Sequence, residues 1–524
     1  MPRAKATRAE RFDSLRADWQ AGKRSRFVRE RRNTAGPGDA QYANETEFAR
    51  IREYVRDMDR GEPIVGSLAD RAVVNQLQGG FRIQPETGDK ELDNDLKARF
   101  AEWAGDARLC DHAWDRTFWQ MCHGWLRQTY IDGDICAILT EGGSVQTLES
   151  DRLRSPAGNR PDIVHGIELS SDRRKIAYWF GADPGKSRQS PGAPQRRRAH
   201  DDAGEQEVLH VTNPMTRRSF SQTRGVSAFA PAYYRMGMLE DTQFATLLQR
   251  QLVSSLVWFV ERGADWQGGT ATLGRQVSGQ ATPSDAGLST LEETAPGMIA
   301  RGAKGEKLSA LNTSIPSPEY MPYVRMILQE ISVSIGLPLV LALMDAKETN
   351  FSGFRGAVDA ARMGFRANQK WFAETAVRPI YRWQVRRWLS TPVDEGGLGA
   401  AARLNPLILR ARVTPPNWPY IQPLDDARAN ELRMGSMQLS PAQFAREQGF
   451  EWDDHVTETV NNWEHAIITA KESAARINTR FPEDAQVHWR ELLNLGTSDG
   501  MKSELVRAAA FAEQSANQGG DNAA

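Results

Sequence analysis

The sequence predicts an α+β protein, and three observations carry that prediction. From Glu45 to about residue 130, apolar residues recur every three or four positions, the period of amphipathic helices. From Tyr130 to about residue 225 the pattern changes to short runs such as "DGDICAILT", "SVQTLES" and "KIAYWF", separated by turn residues. From Pro231 long helical periods return and run, with interruptions, to about Phe511. Residues 40–225 are therefore expected to form an α+β domain, with long helices after it.

Composition narrows the class. At roughly 150 residues per domain, 524 residues suggest about three or four folding units. Lys and Arg number 66 against 67 Asp and Glu, whereas a dedicated nucleic-acid clamp would show a basic excess. With 40% apolar residues and 15 Trp, the chain has enough material for packed cores. Three cysteines, Cys110, Cys122 and Cys136, point to a reducing compartment and not to a disulfide framework. No apolar run approaches the roughly 20 residues that span a bilayer, so no membrane partner is expected. The basic N-terminus lacks the apolar stretch of a secretory signal, which places synthesis and assembly in a cytoplasm.

The elements follow in order. Residues 1–40 form a basic arm, with eleven Lys/Arg and four Asp/Glu in the first 35 positions. It reads as a solvated tail or as an electrostatic tether to nucleic acid or an acidic partner. Phe48, Ile51, Val55 and Met58 mark one helix; Ile64, Leu68, Ala72, Val73 and Leu77 mark the next, which Gly79 and Gly80 end. "FRIQP" reads as a strand, residues 91–130 as Trp-rich helix, and "IVHGIEL" and "EVLHVT" as further strands. Residues 181–205, rich in Pro, Gly, Ser and Arg, read as a long exposed loop.

A long helix begins at Pro231, suited to a first turn, with Met238, Thr242, Ala245, Leu248 or Gln249, Leu252 and Leu256 as its packed stripe. Residues 261–316 lose the helical period. Ser317 and Pro318 then suit a cap and first residue, followed by a stripe of Met321, Val324, Ile327, Leu328, Ile331 and Ile335 that Gly336 and Pro338 stop. The polar stretch "MDAKETNFSGFRGA" (344–357) separates this helix from another, with Ser352 as its expected cap. Phe354, Val358, Ala361, Phe365 and Phe372 carry that helix, ~40 Å long if it runs to Pro379, which should kink or end it. "LILRARV" reads as a strand and "PPNWPYIQP" as a connector. Helical patterns then continue, and the final "QGGDNAA" reads as disordered.

Candidate chemistry is sparse. "GADPGKS" (181–187) has three residues between its first Gly and the Gly-Lys pair, where a phosphate-binding loop needs four. Cys110, His112, Cys122 and His123 lack zinc-ligand spacing and lie in an apolar helical stretch, so buried thiols are expected. "DGD" (132–134) reads as a turn. No catalytic residue, metal ligand or cofactor site emerges, and the chain is read as no enzyme.

The ordered set of segments nevertheless resembles the portal proteins of tailed phages, the lambda-type family in particular. The stretches that carry the resemblance include "VRDMDRGEPIVGSLADRAVVNQLQGGFRIQP" (55–85), "LESDRL" (148–153), "IVHGIELSSDRRKIAYWF" (163–180) and "VLHVTNPMTRRSFSQTRGVSAFAPAYYRMGMLED" (208–241). "APGMIARGAKGE" (295–306), "ISVSIGLPLVLALMDAKETNFSGFRGAVDAARMGF" (331–365) and "PPNWPYIQPLDDARANELRMGSMQLSPAQFAREQGFEWDD" (415–454) complete it. The arm and the 181–205 loop depart from the family, and nothing after residue 470 matches it clearly.

The resemblance implies a portal fold assembled as a ring, a homo-dodecamer in the capsid, around a channel for double-stranded DNA. It implies a wing (41–230), a first stem helix (231–257), a β-containing clip (258–316) and a second stem helix (317–336). A tunnel loop (337–353), a long wing helix (354–391), a wing return (392–470) and a helical crown with a disordered tail (471–524) follow. Lys347, Glu348, Thr349, Asn350 and Arg355 would then face the channel. Implied partners are the terminase large subunit, the major capsid or scaffolding protein and a head–tail adaptor, within a virion assembled in the host cytoplasm. Rival readings are a nucleotide-driven DNA-packaging motor and a generic DNA-binding scaffold without a channel.

Overall fold

The computed structural model describes residues 45–255, 259–262, 306–309 and 318–494, apart from 159, 182–193, 203, 215–216, 218–219, 221, 346, 348 and 484–485. The basic arm, "GADPGKS" beyond Gly181, most of the expected clip, Ser317 and Glu348 lie outside the described residues. Two compact units meet between Pro415 and Pro416 in the chain.

In the first unit, α1 (Glu45–Gly61) and α2 (Pro63–Leu77) lead to β1 (Arg82–Pro85). The expected stripes are the buried faces: Phe48, Val55 and Met58 on α1, and Leu68, Ala72, Val73 and Leu77 on α2. Gly80 has φ +106°, and a Cβ there would meet the Trp119 ring at 2.5 Å, so only glycine fits between strand and helix. Asp89 caps α3 (Lys90–Gly105) by accepting from the Glu91 and Leu92 amides. After the single turn α4 (Ala107–Cys110), a Thr117/Gln120 capping box opens α5 (Phe118–Ile131). The Trp-rich stretch explains itself here: Phe100, Trp103, Phe118 and Trp125 form a buried aromatic cluster between α3 and α5.

Two antiparallel sheets follow. The first has the order β3–β2–β8, from β2 (Asp134–Leu139), β3 (Val145–Leu148) and β8 (Val208–Thr212). The second runs β4–β5–β6–β7, from β4 (Ile163–Val164), β5 (Ile167–Leu169), β6 (Lys175–Phe180) and β7 (Gln195–Arg198). They share a core of Cys136, Leu148, Leu153, Ile167, Tyr178, Phe180 and Val208. Strand β7 corrects the expectation of a loop over 181–205. "QRRR" has no apolar face because it is an exposed edge strand, held by its backbone ladder to β6. Two of its three arginines are paired as well, Arg196 with Glu168 and Arg198 with Asp202 and Glu207.

A 3₁₀ turn containing Pro231 leads into α6 (Tyr233–Ser255). The stripe expected on this helix is only partly packed among the described residues, with Met238 and Thr242 half-buried. Met236 and Leu239 are buried at its root, whereas Ala245, Leu248 and Gln249 are exposed, and α7 (Tyr320–Ser334) covers only part of its length. β9 (Phe259–Arg262) and β10 (Glu306–Ser309) pair antiparallel beyond α6. Helix α7 starts two residues later than expected, after a turn at Pro318 and Glu319, and buries Ile327, Leu328 and Ile331.

The short helix α8 (Leu339–Leu343) precedes α9 (Phe351–Phe372). Pro379 neither ends nor breaks the rod. A π-helical turn over Ala373–Val377, with the Arg378 amide donating to the Ala373 carbonyl, absorbs the missing amide, and α10 (Arg378–Ser390) continues. Gln76, Tyr130 and Asn368 form a buried hydrogen-bonded junction of α2, α5 and α9. The unit closes with α11 (Ala400–Leu404) and β11 (Ala411–Thr414), which pairs with β1. The strand expected from Leu407 is shorter, since residues 407–409 form a turn.

The second unit is helical: α12 (Pro423–Gly435), α13 (Pro441–Glu447), α14 (Trp452–Arg480) and α15 (Trp489–Asn494). Helix α14 crosses position 470 without a break. Helix α15 returns along its C-terminal half, fixed by two hydrogen bonds between Asn478 and Val487.

Candidate functional site

The segment joining α7 to α9 is built in two parts. Its root is fixed. Gly336, at φ +72°, turns the chain out of α7, and Leu337 is buried. The Pro338 carbonyl accepts from the Leu341 and Ala342 amides, starting α8, whose Val340 and Ala342 enter the core. "LVLAL" is thus an anchor, where a loop was expected over 337–353; its apolar residues have a core to enter, so one helical turn is stable there.

The tip is exposed. Met344 takes the left-handed conformation at φ +53° and its side chain is 75% exposed. Asp345 accepts from the Lys347 amide at 3.0 Å, closing a tight turn. Asn350 accepts from the Gly353 amide at 2.7 Å and caps α9, taking the role expected of Ser352. Asn350 wins because its extended backbone suits the position before the first helical residue.

The tip brings Lys347, Thr349 and Asn350 together on one exposed turn, Thr349 being half-buried. Arg355 stands apart, as the fifth residue of α9. It lies 3.8 Å from Asp359, which also attracts Arg362 at 3.6 Å. Its charge is therefore shared along the helix and not displayed on the loop. Sequence reasoning underrated two flanking residues, Met344 and Phe351, both large, apolar and exposed. Their isolation inside a polar stretch was the available signal.

A second constellation lies between the two antiparallel sheets and the helices beside them. "DGD" is more than a turn: Asp132 and Asp134 are fully enclosed acids. Arg56 grips Asp132 through Nε and Nη2 at 2.8 and 2.5 Å. Arg224 grips Asp134 through Nε and Nη2 at 2.5 and 2.8 Å, and donates to the Ser150 hydroxyl and carbonyl and the His165 carbonyl. His210 Nε2 lies 3.1 Å from the Asp134 carboxylate, and its Nδ1 lies 2.8 Å from Lys175 Nζ. Burial alone would raise the Asp134 carboxyl, but the Arg224 guanidinium outweighs it and holds the group well below the usual carboxylate range. The partners were illegible because they are about 90 residues apart and each is a lone charge in an apolar run.

Cys110 and Cys122 are buried, as their apolar helical setting suggested, and Cys136 is buried on β2. Burial pushes the Cys110 thiol up to about 11 and Cys122 well above its ordinary value, so neither is a poised thiolate.

A family model described as phage portal protein, lambda family, matches residues 26–369. No curated protein matches the sequence. Among solved structures, a chain titled as the neck of an empty GTA particle computed with C6 symmetry is 15% identical. The match covers 80% of this chain and 95% of that one, at a TM-score of 0.41. A chain from the virion of a native gene transfer agent (GTA) particle is 14% identical, covering 76% and 93%, with a TM-score of 0.39. A chain from the neck of a native GTA particle computed with C12 symmetry is 15% identical, covering 80% and 95%, also at 0.39.

Proposed function

Since this chain belongs to the lambda family of phage portal proteins, we propose that it assembles as a homo-dodecameric ring at one capsid vertex and conducts double-stranded DNA. In this reading α6 and α7 are the two stem helices, β9 and β10 the base of the clip, and residues 337–353 the tunnel loop. The observation that carries the ring is the bare stem. Phe244, Leu247 and Leu248 on α6, with Met321, Met326 and Val333 on α7, are exposed large apolar side chains. Apolar area of that kind marks an interaction surface, and cyclic closure gives every copy the same neighbour.

Lys347, Glu348, Thr349 and Asn350 then border the channel, with Arg355 behind them on α9. A conduit must let the duplex slide, whereas each cation that neutralises a phosphate tightens non-specific binding. Mixed charge at the tip guides without trapping. The ring docks the terminase large subunit during packaging, contacts the major capsid or scaffolding protein, and later holds the head–tail adaptor. ATP hydrolysis belongs to the terminase and not to this chain. No helix among the described residues is long and apolar enough to cross a membrane.

The test is a Leu247→Lys/Met326→Lys double variant, compared by mass photometry with the parent. Exposed positions change single-chain stability by about 0.5 kcal/mol or less. The expected result is a folded subunit that no longer forms the high-mass species. Rings of unchanged mass and stability would remove the stem faces from the interface.

A further inference from the structure

The buried charges around Asp134 are arranged as a chain that ends at the root of α6. Lys175 (β6) meets His210 (β8), His210 meets Asp134 (β2), and Asp134 meets Arg224, six residues before the 3₁₀ turn that opens the helix. The side chains of His210, Arg224 and Asp134 are 2%, 3% and 0% exposed. Beside them the backbones of Gly133 and Gly225 cross so closely that a Cβ on Gly225 would lie 2.1 Å from the Gly133 carbonyl oxygen. The Gly225 amide also donates to Asp134 at 3.3 Å. Just beyond, the Ser227 hydroxyl and the Ala228 amide both donate to the Tyr130 carbonyl. This crossing with its ion pair attaches the segment to β2, while Ser227 and Ala228 hold it to the end of α5 and Val226 packs with Phe48 of α1.

The hydrogen-bond directions in the chain are set by the imidazole. Asp134 can only accept, so His210 Nε2 carries the proton that donates to it. His210 Nδ1 must then offer its lone pair to the Lys175 ammonium, which has only donors. A second proton on Nδ1 removes that acceptor and sets two cationic N–H donors face to face at 2.8 Å. The imidazole is faced by Lys175 and Tyr178 from β6, by Asp134 and Cys136 from β2, by Arg224 from the segment before α6, and by Thr212 on its own strand. Asp134 favours a second proton; Lys175 and Arg224 oppose it.

We propose that the Lys175–His210–Asp134–Arg224 chain is a proton-operated clasp: protonation of His210 at Nδ1 expels the Lys175 ammonium, loosens Asp134 from Arg224 and frees the root of α6 from the β2–β8 sheet. The proton comes from solvent, and no other covalent bond changes. Burial first, then the Lys175 ammonium, hold the imidazole down to about 4, so the clasp stays closed at neutral pH and opens in acid.

Hydrogen–deuterium exchange of the full chain, corrected for intrinsic rates, tests this on the 222–232 peptide. The expected result is loss of protection centred near pH 4, while peptides of 351–372 keep theirs. In His210→Gln, whose amide supplies one donor and one acceptor and does not titrate, protection should persist through that pH. In Lys175→Met, removal of the opposing ammonium should move the loss upward by about 1 pH unit or more. Protection retained in the parent chain well below pH 4 would overturn the clasp. So would loss in His210→Gln at the parent's pH. Should His210→Gln fail to fold, an unshifted or downward-shifted transition in Lys175→Met would overturn it.

Discussion

Individual residues matter most where charge is buried. Arg224 and Asp134 lose water together and recover the cost only by binding each other, Ser150 and His165. Removing one partner leaves the other as an uncompensated buried charge. Arg224→Met should therefore destabilise the first unit by about 3–5 kcal/mol in urea unfolding. Arg355→Ala, whose ion pair is half-exposed, should cost about 0–1 kcal/mol. Equal effects would mean that the Asp134 pair is no stronger than a surface one. Lys175 adds a pH dependence on the alkaline side. Burial of its ammonium is the main reason its folded value falls to about 8, from an ordinary 10.5. Between those values the unfolded chain binds more protons than the folded one, so stability rises with pH across that window. The urea midpoint of the parent relative to Lys175→Met should climb from pH 8 to 10.5; a flat difference would mean that Lys175 titrates normally.

At the scale of elements, the loop tip is separable from the fold. Its root is held by Leu337, Val340 and Ala342, while residues 345–350 bring no buried side chain among those described. Replacing 345–350 with a short Gly/Ser linker should leave the subunit folded and rings forming, because loop closure is tolerant of such change. Encapsidated DNA per head should fall. Unchanged DNA content would remove the tip from the mechanism, and collapse of the rings would make it a packing element. What the sequence made legible at this scale follows from where periodicity reports burial. The stripes of α1 and α2, and the short apolar runs of β2, β6 and β8 between turn residues, face cores within one chain, so they could be read. "QRRR" could not, because an edge strand needs no apolar face. "LVLAL" was too short to show a period, and the helix does not end at Pro379 because a π turn satisfies the backbone around the missing amide. The α6 stripe was visible as a pattern, but Ala245, Leu248 and Gln249 are exposed in the single chain, and the proposed ring is what would cover them. The loop site was legible as a polar interruption between two helices. The Asp134 clasp was not, because its members meet only through the tertiary fold.

The whole molecule is a member of the lambda family of portal proteins, and the exposed apolar faces of α6 and α7 are what the proposed ring would cover. The near-balance of 66 basic and 67 acidic residues fits a passage for DNA better than a clamp upon it. Both the motor and the scaffold readings lack a structural counterpart to those faces: neither requires apolar stripes on two adjacent helices to find identical neighbours. The most direct measurement is negative-stain imaging of the purified full-length chain. The account predicts end-on views of a closed ring of about twelve copies with an axial hole. A uniform population of single subunits across a wide concentration range would contradict it.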